Sequence, residues 1–69
     1  MNIGKTIKLL RKEQHMTQED LSFESGLAPR TITQLEQNGT NTRINTLIEV
    51  CKALNVELSE LIIEAERME

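Results

Sequence analysis

Four polar side chains recur at the spacing of one helical face in a short segment: Arg30, Thr33, Gln34 and Gln37. Ile32 and Leu35 fall on the opposite side of this segment, which predicts a helix with one buried and one exposed face. Arg can bond guanine O6 and N7, Gln can bond adenine N6 and N7, and the Thr methyl can touch thymine. The alternative is an ordinary polar face. From Pro29 to Arg43, however, the chain holds a single acid, Glu36, although its net charge is −3. The segment therefore favours base reading.

A second set of residues flanks this segment and could contact phosphates: Thr17, Gln18, Asn38, Thr40, Asn41 and Arg43. Thr17 and Gln18 stand at the start of a predicted helix, where backbone N–H groups and the helix dipole attract anions. The other four lie in a polar stretch, residues 38–43, that holds one basic residue. We therefore expect modest non-specific affinity for nucleic acid.

Residues suited to catalysis are scarce. The chain has one histidine, His15, and one cysteine, Cys51, in different predicted helices. Metal sites need several converging ligands, so we expect no metal and no cofactor. No Ser-His-acid grouping or Gly-rich phosphate loop is visible, and we expect no enzymatic activity. His15 is interpreted as a surface residue or a helix C-cap.

The length and composition indicate one small domain over residues 1–69. A chain of this size buries only about 60% of its unfolded surface, so its core must be compact. Phe23 is the only aromatic residue, and the core must be built from Ile, Leu, Val and Ala. Cys51 cannot form an internal disulfide and is predicted to be a small buried apolar residue. With no membrane span and no secretory signal pattern, we expect a reducing cytoplasm.

Charge is distributed unevenly along the chain. Residues 1–43 hold six basic and five acidic residues, whereas residues 44–69 hold two basic and six acidic ones. An acidic C-terminal part could face away from DNA while the first part meets it. The local field dominates at contact distance, because the Debye length is only about 8 Å at physiological salt.

Hydrophobic spacing and capping residues predict five helices, over about residues 2–14, 18–25, 29–37, 44–54 and 58–65. Residues 17–37 read as a helix-turn-helix, in which Gly26 and Leu27 form the turn. Thr17 is a predicted N-cap, with Asp20 completing a capping box. The expected architecture is all-α, a compact five-helix bundle.

The motif residues resemble the Cro and lambda-repressor-type (XRE family) DNA-binding domains: Gln18, Leu21, Ser22, Gly26, Leu27, Ile32, Leu35 and Glu36. The resemblance extends over about residues 3–63. It implies a prokaryotic or phage-encoded five-helix bundle that binds double-stranded DNA as a dimer, with residues 29–37 in the major groove. It also implies that Arg11 pairs with Glu36 in a partly buried ion pair, and that Gln18 lies against the DNA backbone. The alternative for Arg11 and Glu36 is two unpaired surface charges.

Two residues depart from the family pattern. Ser25 stands where an apolar residue is usual, and Phe23 stands where a polar one is usual. An aromatic residue followed two positions later by Ser also resembles the controller proteins of restriction-modification systems. The simpler interpretation is that Phe23 covers the edge of the core.

The last two predicted helices carry more apolar residues than one packing face requires. The additional residues are candidates for a two-fold interface: Ile48, Val50 and Ile63. An incidental exposed isoleucine is the alternative for Ile63, because single exposed apolar residues are common. Together, these features predict a sequence-specific transcriptional regulator that binds a pseudo-palindromic operator. The second hypothesis is an antitoxin-like or adaptor module that uses this fold to bind a partner protein.

Overall fold

Five helices build the part of the chain that the computed structural model describes, residues 1–37 and 42–68. They are α1 (Ile3–Glu13), α2 (Gln18–Ser25), α3 (Pro29–Gln37), α4 (Ile44–Leu54) and α5 (Leu58–Arg67). The predicted all-α architecture is confirmed. The bounds of α2, α3 and α4 agree with the sequence prediction, α1 is one residue shorter at each end, and α5 runs two residues further.

The core lies where the apolar faces of all five helices meet. Its buried members are Ile7, Leu21, Ile32, Leu35, Leu47, Val50, Cys51, Leu54 and Leu61. α1 packs against α3 and α5, while α2 packs against α3 and α4. α3 is therefore held from behind by two helices. Cys51 is buried in this core as a free thiol, and burial raises its pKa above the ordinary value.

The turn between α2 and α3 is built by small residues. Gly26 has a φ of 73°, the left-handed region that glycine enters without steric cost, and its N–H donates to Ser22 O. The Ser22 hydroxyl donates to Leu27 O, and Ser25 Oγ accepts from Leu27 N at 3.3 Å. This contact explains the serine at position 25, where an apolar residue is usual. Its hydroxyl oxygen accepts from the backbone N–H of Leu27, and an apolar side chain could not make this hydrogen bond.

Gly4 brings α1 and α3 into backbone contact. A Cβ atom at this position would lie 2.7 Å from Glu36 O and 2.8 Å from Leu35 O. Both neighbours are backbone atoms, so a side chain here would have to separate the two helices. No local pattern indicates this role, because the glycine stands inside a helix and its neighbours are 31 and 32 residues away in sequence.

The interpretation that Phe23 covers the edge of the core is wrong. The Phe23 side chain is 84% exposed and therefore contributes little to the core. The reason is its position on α2, where Leu21, Ser22 and Ser25 make up the buried face. By contrast, Met16 packs against the core, and exposed His15 adopts a left-handed φ of 59° just after α1.

Replacing Leu35 by Ala should remove about 2–5 kcal/mol from the free energy of unfolding, since a buried leucine leaves a cavity when truncated. Leu35 is 3% exposed at the centre of the buried face of α3. Gln34→Ala, at an exposed position of this helix, is the matched control and should change stability by less than about 0.5 kcal/mol. Chemical denaturation measures both. A loss under about 1 kcal/mol for Leu35→Ala would contradict the packing described here.

Candidate nucleic-acid interface

A buried ion pair fixes the rear of α3. Arg11 Nε lies 2.6 Å from Glu36 Oε2 and Arg11 Nη2 lies 3.1 Å from Glu36 Oε1, a two-point contact. The two side chains are only 8% and 3% exposed, so the pair is buried rather than partly buried. Arg11 Nη1 also donates to Met16 O at 2.7 Å. The alternative of two unpaired surface charges is excluded, and α1 is tied to both α3 and the segment leading into α2.

Gln18 extends this ion pair into a chain of hydrogen bonds. Its Nε2 donates to Glu36 Oε1 at 3.0 Å, and its Oε1 accepts from the Thr33 hydroxyl at 3.3 Å. The half-buried side chain is therefore engaged inside the protein, which departs from the outward phosphate contact that we predicted for it. Only the fold brings Gln18, Thr33 and Glu36 together, and no spacing in the sequence indicated this contact.

The N-terminus of α2 is closed by the predicted capping box. Asp20 N donates to Thr17 Oγ1 at 3.0 Å, and Thr17 N donates to Asp20 Oδ2 at 2.9 Å. The backbone N–H of Thr17, and secondarily its side chain, hold the pKa of the Asp20 carboxyl below its ordinary value. The hydroxyl oxygen of Thr17 serves as an acceptor in this box, which leaves its proton for an external acceptor such as a phosphate.

The outer face of α3 presents three of the four predicted base-reading side chains. Arg30, Gln34 and Gln37 are exposed, whereas Thr33 is half-buried at the edge of this face. The Thr33 hydroxyl also donates to Pro29 O at 3.1 Å. Glu36, the single acid of α3, points inward. Hence the exposed surface of this helix carries amides and a guanidinium without a carboxylate.

The predicted phosphate contacts after α3 fall into two groups. Arg43 is exposed at the N-cap of α4, where its side chain makes no capping hydrogen bond. Asn38, Thr40 and Asn41 lie outside the described residues. Within residues 1–37 and 42–68, neither Arg30 nor Arg43 forms an ion pair.

The predicted dimer residues differ in exposure. Val50 is 0% exposed, so its assignment to an interface is wrong. α4 packs against both α2 and α5, and Val50 belongs to an apolar arc of this helix whose buried members are Leu47, Val50, Cys51 and Leu54. Ile48 and Ile63 are 36% and 50% exposed, as an interface requires. Ile44, 55% exposed at the start of α4, was missed because it belongs to the same apolar arc as the core residues.

Among the described residues, no three His, Cys, Asp or Glu side chains are grouped as a metal ion would require. None of the helices in residues 1–37 and 42–68 combines the length and apolar character needed to cross a membrane.

A helix-turn-helix packed on a rigid bundle, with an amide- and arginine-bearing outer helix, defines a class of DNA-binding fold. The sequence profile of the Helix-turn-helix family matches residues 7–61, and the chain belongs to this family.

Curated relatives and solved structures agree with this membership. An uncharacterized HTH-type transcriptional regulator of Sinorhizobium fredii is 33% identical over 60 residues, spanning 87% of this chain and 78% of that protein. The competence pilus inhibition repressor of Acinetobacter baylyi is 34% identical over 70 residues, spanning 100% of this chain and 63% of the repressor. The wild-type restriction-modification controller protein C.Esp1396I superposes with a TM-score of 0.88 at 32% identity, covering 94% of this chain and 84% of the controller.

Glu36→Gln should lower the free energy of unfolding by about 3–5 kcal/mol, because it leaves the buried Arg11 guanidinium without a compensating charge. The control is Glu49→Gln, which breaks an exposed pair with Lys52, 3.8 Å long with side chains 49% and 72% exposed. That change should cost less than about 1 kcal/mol. Urea denaturation compares the two, and equal losses would show that the buried pair does not stabilise α3.

Proposed function

We propose that this protein is a sequence-specific DNA-binding transcriptional regulator of repressor or controller type. In this proposal α3 enters the major groove, and two copies bind a pseudo-palindromic operator in the cytoplasm. The observation that carries the proposal is the outer face of α3: Arg30, Gln34 and Gln37 are exposed, and its one carboxylate is turned into the protein.

The chemistry of that face suits direct readout. An exposed guanidinium can donate to both guanine acceptors, and an exposed amide can both donate to and accept from adenine. Such bidentate contacts need a rigid helix, since a misplaced side chain satisfies only one of the two bonds. The Arg11–Glu36 pair and the backbone contact at Gly4 supply this rigidity from behind.

The similar proteins support the same function. Two of them are named as a transcriptional regulator and a repressor. The controller C.Esp1396I has also been solved as a nucleoprotein complex. The controller in that complex superposes on this chain with a TM-score of 0.86 at 32% identity, over 96% of this chain and 86% of the controller. The proposal keeps the predicted phosphate contacts of Thr17, Asn38, Thr40, Asn41 and Arg43. For Gln18 it replaces the side chain, which is engaged inside the protein, by the backbone N–H at the start of α2.

Selection of bound sites from a random duplex pool, followed by a gel shift, tests the proposal. A regulator should enrich a defined site and hold it against excess nonspecific DNA. A folded protein that enriches no sequence would favour the second candidate, an adaptor or antitoxin-like module. The observation that favours this candidate is Phe23, which is 84% exposed on α2 and available to a protein partner.

Truncating a base-reading residue and truncating a phosphate-contacting residue should affect DNA binding in different ways. Arg30→Ala and Gln34→Ala should each cost about 1–3 kcal/mol on the selected site and relax preference at particular base pairs. Arg43→Ala should weaken binding to all sequences alike and reduce the salt dependence by about one counterion. Titrations at several salt concentrations measure both effects.

Lys52→Ala is the matched control for these titrations, because it removes an exposed cation on α4 without touching the proposed interface. It should leave the salt dependence within error of the parent. If Arg43→Ala altered base preference while Gln34→Ala did not, the two roles would be reversed.

The dimer is proposed because one recognition helix reads too few base pairs to specify a site, and helix-turn-helix dimers read half-sites about 34 Å apart. Ile48 and Ile63 remain the candidate interface residues, with Val50 removed. Ile63 and the exposed Leu9 line a groove of about 350 Å³ between α1 and α5, whose rim also carries Glu13, Glu60 and Glu64.

Ile63→Glu should place like charges together across the two-fold axis and convert the dimer to a monomer with weaker operator binding. Sedimentation at several concentrations measures the assembly, and circular dichroism checks that the helices persist. Phe23→Ser, which removes an exposed apolar side chain on a different helix, should leave the dimer intact. A parent that stays monomeric at high concentration, or an Ile63→Glu variant that stays dimeric, would contradict this interface.

A further inference from the structure

Thr33 is the residue of the outer face of α3 whose polar group is already engaged. Its Oγ1 lies within hydrogen-bond distance of two acceptors, Pro29 O at 3.1 Å and Gln18 Oε1 at 3.3 Å. A threonine hydroxyl carries one proton, and both of these acceptors lie within the protein. The proton is therefore committed before any DNA arrives, unlike the donors of exposed Arg30, Gln34 and Gln37.

The direction of this hydroxyl is set by the buried ion pair. Arg11 holds the Glu36 carboxylate by two contacts, and an ionised carboxylate only accepts hydrogen bonds. Gln18 must then face Glu36 Oε1 with its Nε2, which lies 3.0 Å away. The other end of the amide, Oε1, is left facing α3, where it accepts from Thr33.

A threonine side chain offers two heavy atoms on Cβ, and its χ1 occupies a small number of staggered states. Oγ1 is held by Pro29 O and Gln18 Oε1, and the Cγ2 methyl is the part of this half-buried side chain that takes no part in these hydrogen bonds. Thr33 stands three residues after Arg30 and four before Gln37, so all three share neighbouring positions on the helix surface.

We propose that Thr33 is a specificity-determining residue that reads the 5-methyl group of a thymine through its own methyl, while its hydroxyl serves only to orient the side chain. Apolar contact with the thymine methyl is one of the direct readout modes of the major groove. The inference rests on the proposed function, because it names which base feature that same helix recognises. It assigns to Thr33 a role distinct from the hydrogen-bonding roles of Arg30, Gln34 and Gln37.

The test uses uracil, which differs from thymine only by the missing 5-methyl. Each thymine in one half-site of the selected duplex is replaced in turn, and dissociation constants are measured by fluorescence anisotropy. For the parent protein, one position should weaken binding about fourfold, the ratio expected for one buried methyl group. Thr33→Val keeps the methyl and loses the hydroxyl, so it should retain this thymine-to-uracil ratio.

Thr33→Ser keeps the hydroxyl and loses the methyl, and should bring the ratio at that position to about one. A parent that binds tightly but is indifferent to every exchange would overturn the inference alone, as would a Ser variant that keeps the ratio. A Val variant whose ratio falls to one would show that the hydroxyl carries the readout. A folded parent that binds no duplex would instead remove the proposed function and this inference together.

Discussion

The contact between Arg11 and Glu36 is the interaction on which the rest of this structure depends. Two charges that are 8% and 3% exposed must compensate each other, since an isolated buried charge would cost several kcal/mol. Geometry strengthens the pair, because the guanidinium presents two N–H groups to two carboxylate oxygens. Glu36 in turn orients Gln18, which donates to it, and Gln18 orients the hydroxyl of Thr33. The orientation of α3 relative to α1 and α2 is therefore determined by polar contacts as well as by packing.

The same pair explains how an acidic protein can present a surface suited to DNA. The chain carries a net charge of −3, yet α3 hides its only carboxylate against Arg11. Three glutamates gather instead on α5, at Glu60, Glu64 and Glu66, and this helix packs on α1 and α4. Screening within about 8 Å makes the charge near the contact surface matter more than the net charge of the molecule.

Local patterns predicted most of the fold, because helix periodicity and capping act between residues three or four apart. The spacing of Ile32 and Leu35, the capping box of Thr17 and the turn at Gly26 all depend on such neighbours. Contacts between distant residues were predicted where the family resemblance supplied them, as for Arg11 and Glu36.

Predictions that depend on how the helices pack together were incomplete or wrong. Val50 and Ile44 share one apolar arc, and only the positions of α2 and α5 decide that the first is buried and the second exposed. Gln18 meets Thr33 and Glu36 across the interface between α2 and α3, which no local pattern records.

The backbone contact at Gly4 has a consequence for how this fold can change. α1 supports α3 through main-chain atoms, which are the same whatever side chains the helix carries. The exposed positions of α3 can therefore be exchanged without disturbing that support, while position 4 admits no side chain at the present helix spacing. The protein thus separates a fixed rear side of α3 from an outer face that can accept other side chains. Under the proposed function, new operator preferences would arise by exchanging a few exposed residues of this helix.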